Sequence, residues 1–234
     1  KIYNAFLTAP QISLLSVGDS PEPTSTPTAL SILGSSPDVD HSGDLIRVPP
    51  SILHWNEEHQ FGDQTSSLIL NDMSEALSTE FTVSLWIRPS GSMISGVQYL
   101  VSVGRSPLGF DNSFSIYLTS DGCVGFVDYT NSDGVGFMGK STNSITSSVD
   151  YTHIAVIKKN RTLYFYIDGV YSNTLTASYL VSSYAKGPVV LGKNHRTSEG
   201  NAFFNGEMKS LQIFDMQLTE AQLLKLITVE DFLT

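Results

Sequence analysis

The stretch FTVSLWIRP alternates Phe81, Val83, Leu85 and Ile87 with Thr82, Ser84, Trp86 and Arg88, and Pro89 ends it. A period of two is the pattern of a β-strand with one face in a core. QYLVSVG, SFSIYLTSDG and CVGFVDY continue the series, with Asp121-Gly122 as a hairpin turn between the last two. HIAVIKKNRTLYFYIDGVYSNTLT holds three more strands joined at Lys159-Asn160 and Asp168-Gly169, and GPVVLGK and NGEMKSLQIF follow. Together these make about eight to ten strands at the spacing of a sandwich or jelly roll. No strand-helix-strand rhythm appears, so a parallel sheet is not expected.

One helix closes the series. Thr219 is its N-cap, Gln222 the capping-box partner, and Leu218 and Leu223 the hydrophobic staple, while Leu223, Leu224, Leu226 and Ile227 form an apolar stripe. The last strand holds an oddity. Strict alternation puts Lys209 on the face of Leu211 and Ile213, and Met208, Ser210 and Gln212 on the other, so a cation falls on the apolar side.

Composition narrows the function classes. The 234 residues are 41% hydrophobic and only 15% charged, the usage of a strand-and-turn protein. A net charge of -10 without a basic cluster argues against nucleic acid as a partner. The single cysteine, Cys123, allows neither an internal disulfide nor a cysteine-based zinc site. No apolar run reaches the roughly 18 to 20 residues of a membrane span. KIYNAFLTAPQ lacks the signal-peptide pattern and the chain opens on Lys1, so a piece of a longer or processed polypeptide is expected. Residues 1–43, rich in Pro, Ser and Thr from Ser20 to Ser42, read as a partly extended N-terminal segment, and 44–234 as the sandwich domain.

The order FTVSLWIRP, FSIYLTSDGCVGF, YTHIAVIKKNRTLYFYIDGV, PVVLGK, FNGEMKSLQIFDMQLTEAQL resembles the laminin G-like, or concanavalin A-like lectin-type, jelly-roll family from Phe81 to Leu226. The resemblance implies an all-β, antiparallel two-sheet jelly-roll β-sandwich with one short C-terminal helix. Either DLIRVPPSI or SSLILND is the opening strand. Members are mostly extracellular modules that bind glycans or proteins, often with calcium, and some relatives on the fold are glycosidases. Lys209 falls where many relatives carry an aspartate that helps to hold a structural calcium, which implies no calcium at that position.

A retaining glycosidase needs two close carboxylates, and no strand carries acids two or four apart on one face. Asp128, Asp168 and Asp215 each sit singly at a strand end, as turn residues do, and neither His153 nor His195 has a nucleophile signature nearby. No catalytic residue is therefore assigned. Gly134, Gly136 and Gly139 have the spacing of a dinucleotide loop but no strand-to-helix context, and HWNEEH spaces its histidines wrongly for a helical zinc site, so both read as loops.

DVDHSGD sets Asp38, Asp40, Ser42 and Asp44 at alternate positions, the first half of a calcium loop whose closing glutamate is replaced by Pro49; an acidic turn is the commoner reading. Asp128, Asn131 and Asp133 offer a second oxygen set on a sandwich rim. For a glycan, Tyr129, Asn131 and Asp133 in one loop, and Asn194, His195 and Arg196 in another, are the densest polar groups outside the strands. Asn160 heads the Asn-Arg-Thr sequon at a hairpin tip, a glycosylation site if the chain is secreted. The expected function is a non-catalytic extracellular or surface module that binds a glycan or a cell-surface protein through rim loops. The alternatives are a structural interaction module of a larger assembly and a glycoside hydrolase on the same fold.

Overall fold

A computed structural model describes residues 46–62, 66–72, 77–90, 96–104, 112–129, 135–145, 149–178, 180–184, 187–194 and 202–230. The chain divides into Lys1–Asp44 and Leu45–Thr234, and the described residues belong to the second unit. Asp38, Asp40, Ser42, Asp44, Asn131, Asp133, His195 and Arg196 lie outside them.

Two six-stranded antiparallel sheets form the sandwich. The first runs in the order β1 (Leu53–Phe61), β12 (Gly206–Phe214), β3 (Glu80–Pro89), β8 (Thr152–Lys159), β9 (Thr162–Ile167), β10 (Val170–Thr176). The second runs β2 (Leu68–Asp72), β11 (Pro188–Leu191), β4 (Gln98–Val103), β5 (Ser113–Leu118), β6 (Cys123–Tyr129), β7 (Val135–Ser144). Phe81, Val83, Leu85 and Ile87 of β3 face Phe114, Ile116, Val124 and Phe126 in one shared core. The hairpin turns form as their residues dictate. Asn160 at φ 54° and Asp168 at φ 49° take the left-handed conformation that Asn and Asp tolerate best after glycine, and Gly169 follows at φ 72°.

The helix α1 (Glu220–Glu230) begins as its cap residues predict: the Thr219 N–H donates to Gln222 Oε1 at 2.9 Å, and the Gln222 N–H donates back to Thr219 Oγ1 at 3.3 Å. Leu218 and Leu223 pack with Ala155, Ile157 and Phe214 on the outer face of the first sheet. Leu224, read as part of the buried stripe, is instead 40% exposed.

The alternation read for β12 breaks at Ser210. This residue sits at φ 53° in a β-bulge, and the register against β3 shifts between Lys209 and Gln212. Met208, Leu211 and Ile213 therefore all face the core, and Lys209 pairs with Trp86 on the outer face. A matching irregularity lies between Trp55 and Glu58 in β1, where the Ser210 hydroxyl donates to Asn56 Oδ1 at 3.2 Å. The cation is on the apolar side only for a chain without the extra residue.

Other readings shift as well. The opening strand is neither DLIRVPPSI nor SSLILND: HWNEEH, read as a loop, lies in β1, while SSLILND supplies β2. Gly136 and Gly139, read as loop glycines, lie in β7. Asp128 is no rim ligand. It is fully buried inside β6, where its Oδ2 accepts the Val181 N–H at 2.7 Å. Burial pushes its pKa up, and burial pushes that of the equally buried Lys158 down to about 8, each in the field of the other. The Lys158 ammonium donates to the Thr79 carbonyl at 3.2 Å and lies near the faces of Phe81 and Tyr184.

Strands β7 and β10, edges of different sheets, are tied to each other by side chains. The Asn143 N–H donates to Ser172 Oγ at 2.9 Å, Thr142 Oγ1 donates to the Ser172 carbonyl at 3.2 Å, and Asn173 Nδ2 donates to the Lys140 carbonyl at 3.2 Å.

Candidate ligand-binding face

The outer face of the second sheet is built by residues out of phase with the core. In β4 to β6 the core takes Leu100, Val103, Phe114, Ile116, Val124 and Phe126, which leaves Tyr99, Ser102, Ser115, Tyr117, Gly125, Val127 and Tyr129 to the other side. Tyr99, Tyr117, Val127 and Tyr129 form their own buried cluster, with Ala202 packed against it.

Tyr117 faces Gly125 across the strand pair, and a Cβ at Gly125 would come within 2.2 Å of the Tyr117 ring. Glycine is what lets this ring lie down on the neighbouring strand. Tyr99 meets Tyr117 edge to face at 6.0 Å. The Tyr99 and Tyr129 hydroxyls lie 3.4 Å apart. Burial, with Tyr99 beside it, pushes the Tyr117 phenol up to about 12, so it stays a neutral hydroxyl and is no nucleophile at physiological pH.

The segment that leaves β11 crosses this cluster. Gly192, at φ 81°, turns the chain beside Phe61, where a Cβ would be 2.5 Å from the ring. Ser102 Oγ then donates to the Lys193 carbonyl at 3.0 Å, and Asn194 Nδ2 donates to the Tyr129 hydroxyl at 3.0 Å. Further along the chain, the Tyr99 N–H donates to the Ala202 carbonyl at 3.1 Å. Of the six glycan-site residues expected from the sequence, the structure thus brings Tyr129 and Asn194 into one hydrogen bond, 1% and 7% exposed respectively. The sequence pattern places both in loops; in the structure Tyr129 ends β6, and both side chains are buried anchors. At the far edge, Lys140 Nζ meets Asp121 Oδ2 at 2.6 Å, and this ammonium together with the Thr119 hydroxyl pulls the Asp121 carboxyl down to about 2.

Sequence reasoning missed Tyr99, Tyr117, Ser102 and Ser115. The signal was present: QYLVSV and SFSIYL carry aliphatic or aromatic residues on both phases, as strands covered on both faces do.

The outer face of the first sheet holds the remaining chemistry. Ser84 Oγ lies 2.7 Å from His153 Nε2, but both residues are buried, and Asp168 Oδ1 accepts the backbone N–H of His153 at 2.8 Å rather than its ring. The pair lacks the orienting carboxylate and solvent access of a hydrolytic triad. Glu207 accepts from both Arg88 and, at 2.7 Å, the Tyr151 hydroxyl. Among the described residues no group of three or more His, Cys, Asp or Glu side chains could hold a metal ion. Asn160 is exposed at the tip of the β8–β9 hairpin.

Comparison with known proteins fits this architecture. The sequence model described as "Concanavalin A-like lectin/glucanases superfamily" matches residues 62–224. No curated protein sequence matches. Among solved structures, the CBM40 of the Ruminococcus gnavus IT-sialidase bound to α2,3-sialyllactose superposes with a TM-score of 0.60 at 20% identity, over 76% of this chain and 99% of that one. A SAP-like pentraxin from Limulus polyphemus superposes with a TM-score of 0.54 at 19% identity, over 73% of this chain and 80% of that one. The NanB sialidase of Streptococcus pneumoniae gives 0.60 at 15% identity, over 74% of this chain but only 28% of that one. At these identities the likeness is one of fold.

Proposed function

Because the chain belongs to the concanavalin A-like lectin/glucanase superfamily, we propose that it is a non-catalytic recognition module that binds glycan above the outer face of the second sheet. The observation that carries this reading is the hydrogen bond from Asn194 to Tyr129. It joins residues 65 positions apart, so the stretch leading into His195 and Arg196 and the strand leading into Asn131 and Asp133 start from one point. A rigid sandwich with polar stretches leaving from a common anchor is how such folds present ligand contacts. The neighbouring CBM40 structures carry α2,3- and α2,6-sialyllactose, which supports a saccharide over a protein as the ligand class. In this reading the module belongs to a larger polypeptide, works at an extracellular or cell-surface location, and accepts an N-glycan at Asn160. Asp38, Asp40, Ser42 and Asp44 are the residues that would hold calcium.

A glycan array probed with wild type, Asn194→Ala and Tyr129→Phe, each with and without chelator, tests the proposal. Wild type should bind a defined set of saccharides, Asn194→Ala should lose that binding with its strand circular dichroism intact, and Tyr129→Phe should weaken it. Absence of saccharide binding by the wild type, binding unchanged in both variants, or sugar release from the array would overturn the reading. Binding that survives chelation would remove calcium from the ligand site.

A further inference from the structure

Among the described residues, α1 covers only one half of the outer face of the first sheet. α1 packs over Ala155, Ile157, Tyr164, Tyr166 and Phe214. The other half carries a transverse row, Glu58, Lys209, Trp86 and His153, with Glu207 and Arg88 in the next row. Tyr151, just before β8, stands among them. The Lys209 ammonium lies 4.5 Å from the centre of the Tyr151 ring and 5.7 Å from that of Trp86, both within the reach of a cation–π contact, roughly 6 Å. It has no ion pair or hydrogen bond with a described residue. Its partner in register, Glu58, brings a carboxylate near the Tyr151 hydroxyl, whose proton is donated to Glu207, and Glu207 is held by Tyr151 and Arg88. Glu207 thus fixes Tyr151, and Arg88, 4.7 Å from the centre of the same ring, offsets one of the two carboxylates, so the groups around the Lys209 ammonium carry a net negative charge. Trp86 is only 8% exposed beneath this cation.

Two aromatic rings, net negative surroundings and a bound cation make a complete ammonium site whose occupant is the chain's own side chain. We propose that the Trp86–Tyr151 ring pair binds organic ammonium groups, and that Lys209 occupies it until a ligand cation displaces it. Ring faces select a cation over an anion. Lys209 is a strongly hydrated ammonium on a flexible stem, held by the rings alone, so a less hydrated alkylammonium competes well against it. The same chemistry can come from a small free cation or from a methylated lysine on a partner protein. The site is separate from the glycan face and stands or falls without it.

The test uses ¹⁵N-labelled protein and its two tryptophan indole signals, Trp86 as reporter and the core residue Trp55 as the fold control. Tetramethylammonium chloride and Nα-acetyl-trimethyllysine methylamide are titrated against sodium chloride at equal ionic strength. Lys209→Ala should show a saturable shift of the Trp86 signal, with half-saturation at least tenfold lower than in wild type. Tyr151→Ala in the Lys209→Ala background should abolish it, with the Trp55 signal unmoved throughout. No saturable shift in Lys209→Ala, equal half-saturation in both proteins, or a shift that survives Tyr151→Ala would overturn the proposal. Tighter binding of the lysine derivative assigns the ligand to a partner side chain, and equal binding assigns it to a free cation.

Discussion

His153 should make this protein sensitive to mild acid. Its ring is fully buried between Trp86, at 5.2 Å between ring centres, and Ser84. The Asp168 carboxylate that could stabilise an imidazolium is spent on the backbone N–H. Desolvation alone holds the imidazole pKa down at about 3, against 6.5 for the exposed ring. Between these values the unfolded chain binds a proton that the folded chain refuses, so stability is fully present above pH 6.5 and falls as pH is lowered, at about 1.4 kcal/mol per unit. From pH 7 to pH 5 the contribution lost is about 2 kcal/mol, a sizeable share of the roughly 5 to 15 kcal/mol that hold a typical domain. Urea unfolding at pH 5, 6 and 7, followed through the two buried tryptophans, should show this loss in wild type. It should be reduced by about 2 kcal/mol in His153→Gln, which keeps a polar group near Ser84 without a proton to gain. Parallel pH profiles for the two proteins would refute the reasoning, because they would mean that His153 charges as readily in the folded chain as in the unfolded one.

Gly125→Ala should destabilise by about 1 to 3 kcal/mol, since the new methyl meets the Tyr117 ring inside a packed face. Combining it with Tyr117→Ala should cost less than the sum of the two single changes in thermal unfolding; strict additivity would show that the ring does not lie on Gly125. Lys158→Met should cost about 3 to 5 kcal/mol by leaving the buried Asp128 without a cation, and the double variant Lys158→Met with Asp128→Asn should recover more than half of it in urea midpoints. Because the folded pKa of Lys158 is depressed to about 8 from 10.5, wild-type stability should rise through that window as pH increases, and this rise should vanish in Lys158→Met.

The sequence announced its turns and its helix through local chemistry. Asn160, Asp168 and the Thr219–Gln222 cap each act within a few residues, so their geometry follows from their own side chains. Phase errors came from features that only a partner strand defines. A serine at φ 53° looks like any strand serine until its register against β3 is known, yet it moves Lys209 from the core to the surface. β1 reads as a loop because Glu57, Glu58 and His59 project from an edge strand whose buried residues are Trp55 and Phe61. Asp128 reads as a turn residue because the lysine that shares its interior lies 30 positions away. The candidate glycan face was half legible: Tyr129 and Asn194 were found for their polarity, and their mutual hydrogen bond is visible only in three dimensions.

The side-chain lacing of β7 to β10 also sets how such a molecule can self-associate. On that flank Thr142, Asn143, Ser172 and Asn173 already occupy one another's backbone groups, leaving little to template an incoming strand. Among the described residues, the ladders left without a partner on their outer side are those of β1 and β2, the opposite ends of the two sheets. Edge-to-edge pairing through the described strands is thereby directed to one flank, where a second copy meets it face on in a closed pair.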